Sequence, residues 1–207
     1  MSKPLELTPN PTETFPIETH PLAPFAPPKA KLLMLGSFPP PRARWKMDFY
    51  YPNFQNDMWR IFGLVFFADK DYFVEAGGKS FKEVLIRDFL YEKGIAISDT
   101  AYQVVRLQGN ASDKFLHIVE PVNLVQLLER MPLCHTLMTA GELATDTLFT
   151  LMPEGTEKPK IGTPSHTVFE RRALTLYRLP SSSRAYPLPL EQKAQAYRQL
   201  FTQLGMV

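Results

Sequence analysis

The sequence predicts an α/β protein, a three-layer α/β/α sandwich around a four-stranded parallel sheet. Three observations predict it. Four short apolar segments lack the polar alternation of half-exposed strands and so read as strands buried on both faces. Helical apolar spacings separate those segments. The 207 residues, 44% hydrophobic and 21% charged, suffice for one well-buried domain.

The elements follow in order. Residues 1–29 hold eight of the 20 prolines, which excludes helix and central strand there. That segment reads as a proline-rich strap, closing on the body from about Thr19 onward through Phe15, Ile17 and Phe25. The single domain then spans 30–207. Its four strands are predicted at Lys31–Gly36, Gly94–Asp99, Thr136–Ala140 and Ala173–Leu179. The first helix starts near Asn56, with Trp59 and Phe62 on its buried face. Ser80-Phe81-Lys82-Glu83 has the form of a capping box and Gly94 that of a helix stop, so a second helix lies between them. Further helices are predicted at Pro121–Arg130, Glu142–Leu151 and Leu190–Leu204. Strand–helix alternation implies right-handed crossovers.

Bulk charge excludes little. The net charge is +2, but Arg42, Arg44 and Lys46 cluster within five positions, and four arginines gather between Arg171 and Arg184. Cys134 is the sole cysteine, which excludes an internal disulfide and a thiolate cluster. Its apolar neighbours place it in the core. The four histidines lack metal-ligand spacing, and neither a zinc-deaminase signature nor a GxSxG elbow is present. No metal site is therefore expected. The polar, proline-rich opening does not have the form of a signal peptide, and the expectation is a cytoplasmic monomer.

In a parallel sheet ligands bind beyond the carboxyl ends of the strands. Two stretches there are unusual. Gly36-Ser37-Phe38-Pro39-Pro40 follows the first strand and reads either as a rigid turn or as a close backbone approach to a ligand. Leu179-Pro180-Ser181-Ser182-Ser183-Arg184-Ala185-Tyr186-Pro187 follows the last and reads either as a serine turn or as a phosphate grip. Between them, Phe49-Tyr50-Tyr51 reads either as core or as leaving one ring exposed, on which a base would stack. Asn56 has two readings: it caps the following helix, or it holds a water or reads a base edge. Spacing alone favours the cap.

These motifs, in this order, resemble those of the uracil-DNA glycosylase superfamily. The likeness is greatest to its hypoxanthine-DNA glycosylase and mismatch-specific uracil-DNA glycosylase branch. The residues that carry it are Gly36-Ser37-Phe38-Pro39, Tyr50-Tyr51 with Asn56-Asp57-Met58-Trp59, and Leu179-Pro180-Ser181-Ser182-Ser183. His20-Pro21-Leu22-Ala23-Pro24 and Gly94–Asp99 are similar to the branch as well, whereas Gly63–Lys93 has no counterpart. The resemblance implies hydrolysis of the N-glycosidic bond of uracil or hypoxanthine flipped out of damaged DNA, without cofactor. It also implies the site residues. Asn56 would be catalytic. Ser37 and Phe38 would contact the base edge through their backbone, and Tyr51 would stack on the base. Ser181, Ser182 and Ser183 would contact phosphate, Arg184 and Tyr186 would fill the gap in the duplex, and Arg42, Arg44 and Lys46 would form a basic arm along DNA. Phe38 stands where mismatch-specific relatives carry a catalytic Asn, and Ser183-Arg184-Ala185-Tyr186 replaces the branch's Ser-Pro-Ala-Asn. Those departures motivate a second reading, a non-catalytic nucleic-acid or nucleotide-binding module. A third is an N-ribosyl hydrolase of free nucleosides.

Overall fold

The computed structural model describes residues 15–108 and 112–207; the first fourteen residues of the predicted strap lie outside them. Its main sheet contains β2 (Leu32–Gly36), β3 (Ile95–Asp99), β6 (Thr136–Ala140), β8 (Arg172–Leu179) and β7 (Ser165–Phe169), in the order β3-β2-β6-β8-β7. The first four are parallel, as predicted, whereas β7 pairs antiparallel with β8. The sheet therefore has five strands rather than four. The fifth was hidden because Ser165–Phe169 is half exposed at the sheet's edge and lacks a continuous apolar run.

Alternating residues of β2 show why the sheet is covered on both sides. Leu32 and Met34 join a core with α1 (Met58–Phe67), α2 (Glu83–Lys93) and α5 (Leu190–Gln203). Leu33 and Leu35 join the opposite core, with α3 (Leu124–Glu129) and α4 (Glu142–Phe149). The unmatched Gly63–Lys93 stretch supplies packing: Phe73, Phe81 and Phe89 are buried beside Phe62 and Phe201. Cys134 is fully buried, and burial pushes its thiol up to about 11.

Several expectations need correction. The capping box at Ser80–Glu83 does not form. Ser80 Oγ donates instead to the Lys46 carbonyl, Glu83 accepts from the Asp48 amide, and α2 starts at Glu83 itself. Gly94 ends α2 in the left-handed conformation (φ 67°), as predicted. The helix expected at Pro121–Arg130 spans only Leu124–Glu129, because Pro121 ends a strand and Asn123 caps the helix through its side chain.

That strand belongs to a second sheet which the sequence did not announce. It is antiparallel, in the order β1-β4-β5, from β1 (Ile17–Thr19), β4 (Ala101–Arg106) and β5 (Leu116–Pro121). It begins where β3 ends: Thr100, fully buried, hydrogen-bonds the Gly36 carbonyl through both its amide and its hydroxyl. The strap enters through β1 as an edge strand. Arg106 grips both carboxylate oxygens of Glu18 at 3.0 and 3.1 Å and the Pro39 carbonyl at 3.1 Å. The strap then crosses to the free edge of β3, where Phe25 and Ile97 exchange backbone hydrogen bonds. Phe25 docks on the core as expected, but Ile17 faces outward at 57% exposure.

Candidate active site

The strand order reverses direction around β2, and the carboxyl ends of β2, β3, β6 and β8 converge there on one cleft of ≈ 680 Å³. Gly36, Asp99, Ala140 and Leu179, the last residues of those four strands, all line it. The volume lies in the usual range for small-molecule sites.

The floor is set by Gly36, Asp99 and Tyr51. A Cβ on Gly36 would lie 2.3 Å from Asp99 Oδ1 and 3.0 Å from the Tyr51 hydroxyl, so glycine is what lets the carboxylate and the phenol share this corner. Asp99 is 6% exposed. Its Oδ2 lies 2.9 Å from His20 Nε2, while its Oδ1 has no hydrogen-bond partner among the described residues. Tyr51 adopts a left-handed backbone conformation (φ 52°), and its hydroxyl is buried without a partner. Burial, reinforced by the Asp99 charge, pushes that phenol well above its ordinary pKa, so it stays a donor. A free acceptor and a free donor thus both border the place of a Gly36 Cβ, and the buried Tyr51 hydroxyl is an exception to the rule that buried polar groups are paired.

His20 reaches this corner from the strap. Its Nδ1 lies 2.9 Å from the Leu22 carbonyl, and its ring meets Phe38 edge-on at 5.3 Å and stacks on Tyr50 at 5.8 Å. Burial lowers its pKa, but the Asp99 hydrogen bond and charge, with the Leu22 carbonyl, more than offset that, and the net direction is upward. His20 and Asp99 both lie in segments that the sequence marked, His20–Pro24 and Gly94–Asp99, but neither was given a role in the site. The signal was there, since Asp99 ends a predicted strand, but their pairing spans 79 positions.

One wall joins the start of α1 to the serine loop. Asn56 Oδ1 accepts from the Met58 amide at 2.9 Å, a turn contact two residues on, whereas the cap position of α1 is held by Asp57, whose side chain makes no capping bond, so Asn56 is not the expected cap. Its amide group and the second lone pair of Oδ1 remain for a ligand or a water. Asn56 bridges to Ser183, and the Asp57 amide donates to the Ser182 carbonyl at 2.9 Å. Behind them Lys193, 1% exposed, reaches Asp57 Oδ2 at 3.2 Å and the Ser183 carbonyl at 2.7 Å. Arg184, at the surface, donates to Asp57 Oδ1 at 2.9 Å.

The other residues singled out from the sequence divide into two groups. Ser37, Phe38, Arg44, Ser181, Ser182, Ser183, Arg184 and Tyr186 line the cleft together with Tyr51 and Asn56. Ser37 Oγ donates to Asp113 Oδ1 at 2.8 Å, whereas the Phe38 ring turns toward a small apolar cluster with Val104 and Leu116. Ser182 is buried. Arg42 and Lys46 do not line the cleft; both are exposed, and Arg42 pairs with Asp48 and lies 4.2 Å over the Trp45 ring. The structure adds Arg178 to the lining; its Nε is buried without a hydrogen-bond partner.

No protein-family model matches the sequence, and no curated protein does. Among solved structures, the solution NMR structure of a putative uracil DNA glycosylase from Methanosarcina acetivorans is similar, with a TM-score of 0.58 and 19% identity. The match covers 89% of this chain and 98% of that one. At this identity the similarity shows a shared fold.

Proposed function

We propose that the protein is a monofunctional DNA glycosylase of the uracil-DNA glycosylase superfamily, acting on uracil or hypoxanthine in damaged DNA. One observation carries this: the cleft at the strand ends pairs an unpartnered carboxylate oxygen of Asp99 with the unpartnered Tyr51 hydroxyl. A carboxylate only accepts hydrogen bonds, and a phenol at neutral pH donates one. Together they suit the edge of a base that shows a ring N–H next to a carbonyl, as deaminated bases do. The shared fold and the ordered motifs support the same reading.

In that reading the base enters the cleft toward Gly36, against the Ser37–Phe38 backbone, and turns its edge rather than its face to Tyr51. Glycosidic cleavage leaves negative charge on the base and positive charge on the sugar. The Tyr51 hydroxyl meets the base's carbonyl, where charge develops. Asn56 orients the attacking water through the Oδ1 lone pair that Met58 leaves open. Ser181, Ser183, Arg44 and Arg184 line the cleft and would contact the phosphates, with the buried Ser182 holding the loop behind them.

Equilibrium binding tests the partner class. Preference for an abasic-site duplex over an undamaged one, falling steeply with salt, is expected. Hydrolysis of free nucleosides without salt-dependent DNA binding would assign the cleft to an N-ribosyl hydrolase instead.

A further inference from the structure

We propose that His20, carried on the N-terminal strap, is a positioning residue of the cleft: by holding Asp99 Oδ2 it presents Oδ1 as a fixed acceptor for the ring N–H of a bound base. The inference rests on the reading of the cleft as a base pocket and adds the strap to the recognition machinery.

Three observations carry it. First, Asp99 is more than nine-tenths buried, yet His20 alone pairs with its side chain among the described residues, and it takes one oxygen only. A buried carboxylate without a partner is costly, so the pair accounts for its persistence. Second, Asp99 lines the cleft at the end of β3, and its unpaired oxygen packs into the place that a Gly36 Cβ would take. Third, His20 cannot swing away independently. Leu22 holds its Nδ1, Phe38 and Tyr50 pack its ring, and its own amide donates to the Tyr102 carbonyl at 2.8 Å. The strap segments on either side are fixed by the Arg106–Glu18 pair and the Phe25–Ile97 bridge. Arranged this way, the acceptor favours uracil and hypoxanthine, which show a ring N–H. It disfavours adenine and cytosine, which show a lone pair at the corresponding position.

The test is binding of the full chain to duplexes containing 2′-fluoro-2′-deoxyuridine or 2′-fluoro-2′-deoxyinosine, which resist cleavage, against the undamaged duplex. His20→Ala should lose on the order of 10- to 100-fold of the preference for the modified duplex while binding the undamaged one as the wild type does. His20→Gln, which restores an N–H donor, should recover most of it. A folded His20→Ala protein that keeps the full preference overturns the proposal. If His20→Ala does not fold, Asp99→Ala takes its place; it leaves the histidine's contacts to Leu22, Phe38 and Tyr50 intact, and retained preference in that protein overturns the proposal equally. The two inferences fail separately. Wild-type protein that prefers the modified duplex but excises no base refutes the glycosylase while the loss in His20→Ala still supports this assignment. Wild-type protein without any preference overturns both.

Discussion

Lys193 Nζ lies 3.2 Å from the Asp57 carboxylate, and this buried pair ties α5 to the start of α1 directly behind the cleft. The same ammonium holds the Ser183 carbonyl, so one cation braces both the Asn56 turn and the serine loop. Removing one member of such a pair strands the other in the core. Asp57→Ala should therefore cost about 3–5 kcal/mol in urea unfolding. Asp57→Ala combined with Lys193→Met should be less destabilised than Asp57→Ala alone, since no buried charge is left unpaired and Arg184, which also loses Asp57, lies at the surface. A double variant as unstable as the sum of the singles would show that the pair does not act as a unit.

Gly36→Ala tests the floor of the cleft. The added methyl would meet Asp99 Oδ1 at 2.3 Å, well inside contact distance, and must displace the carboxylate or the Tyr51 phenol beside it. Excision should fall by about 100-fold or more, because small misplacements in a site are amplified in rate. Retention of wild-type excision would mean that the corner of Gly36, Asp99 and Tyr51 takes no part in binding the base.

Asn56 carries two roles that separate experimentally. Its bond to the Met58 amide is a helix-start contact, and Asn56→Ala should cost about 1 kcal/mol of stability. If it also orients water, single-turnover excision should drop about 100-fold at temperatures where the variant is fully folded. The stability loss alone, with an unchanged rate, would leave Asn56 a turn-stabilising residue only.

The His20 pKa is raised on folding, from an ordinary value of 6.5. A raised value means the folded state binds the proton more tightly. The stabilisation is therefore complete below about 6.5 and fades as pH rises through the folded-state value. The stability gap between wild type and His20→Gln should accordingly narrow as pH is raised from about 6.5 through the folded-state value. A gap that is constant across that range would show that the imidazolium adds nothing beyond a neutral hydrogen bond.

The parallel strands were legible because burial on both faces removes polar residues from them: Leu32–Leu35 and Ile95–Ile97 are apolar at every position. The antiparallel elements were not. Ile17–Thr19, Ala101–Arg106, Leu116–Pro121 and Ser165–Phe169 are partly solvated, and nothing local marks which partners they choose. The candidate site divides the same way. Gly36, Tyr51, Asn56 and the serine loop lie in short motifs and were found. His20 with Asp99, and Lys193 with Asp57, are pairs made across 79 and 136 positions, visible only once the chain is folded. The capping box failed for a related reason: tertiary acceptors and donors at Lys46 and Asp48 took up Ser80 and Glu83 first.

The measurement that bears most directly on the account is single-turnover cleavage of labelled duplexes carrying uracil, hypoxanthine, xanthine or a thymine mismatch. Rapid excision of uracil or hypoxanthine is expected, leaving an abasic site without strand scission until alkali is added. No excision of any of these bases, by a folded protein that still binds abasic DNA, would contradict it and leave a binding module on the same fold.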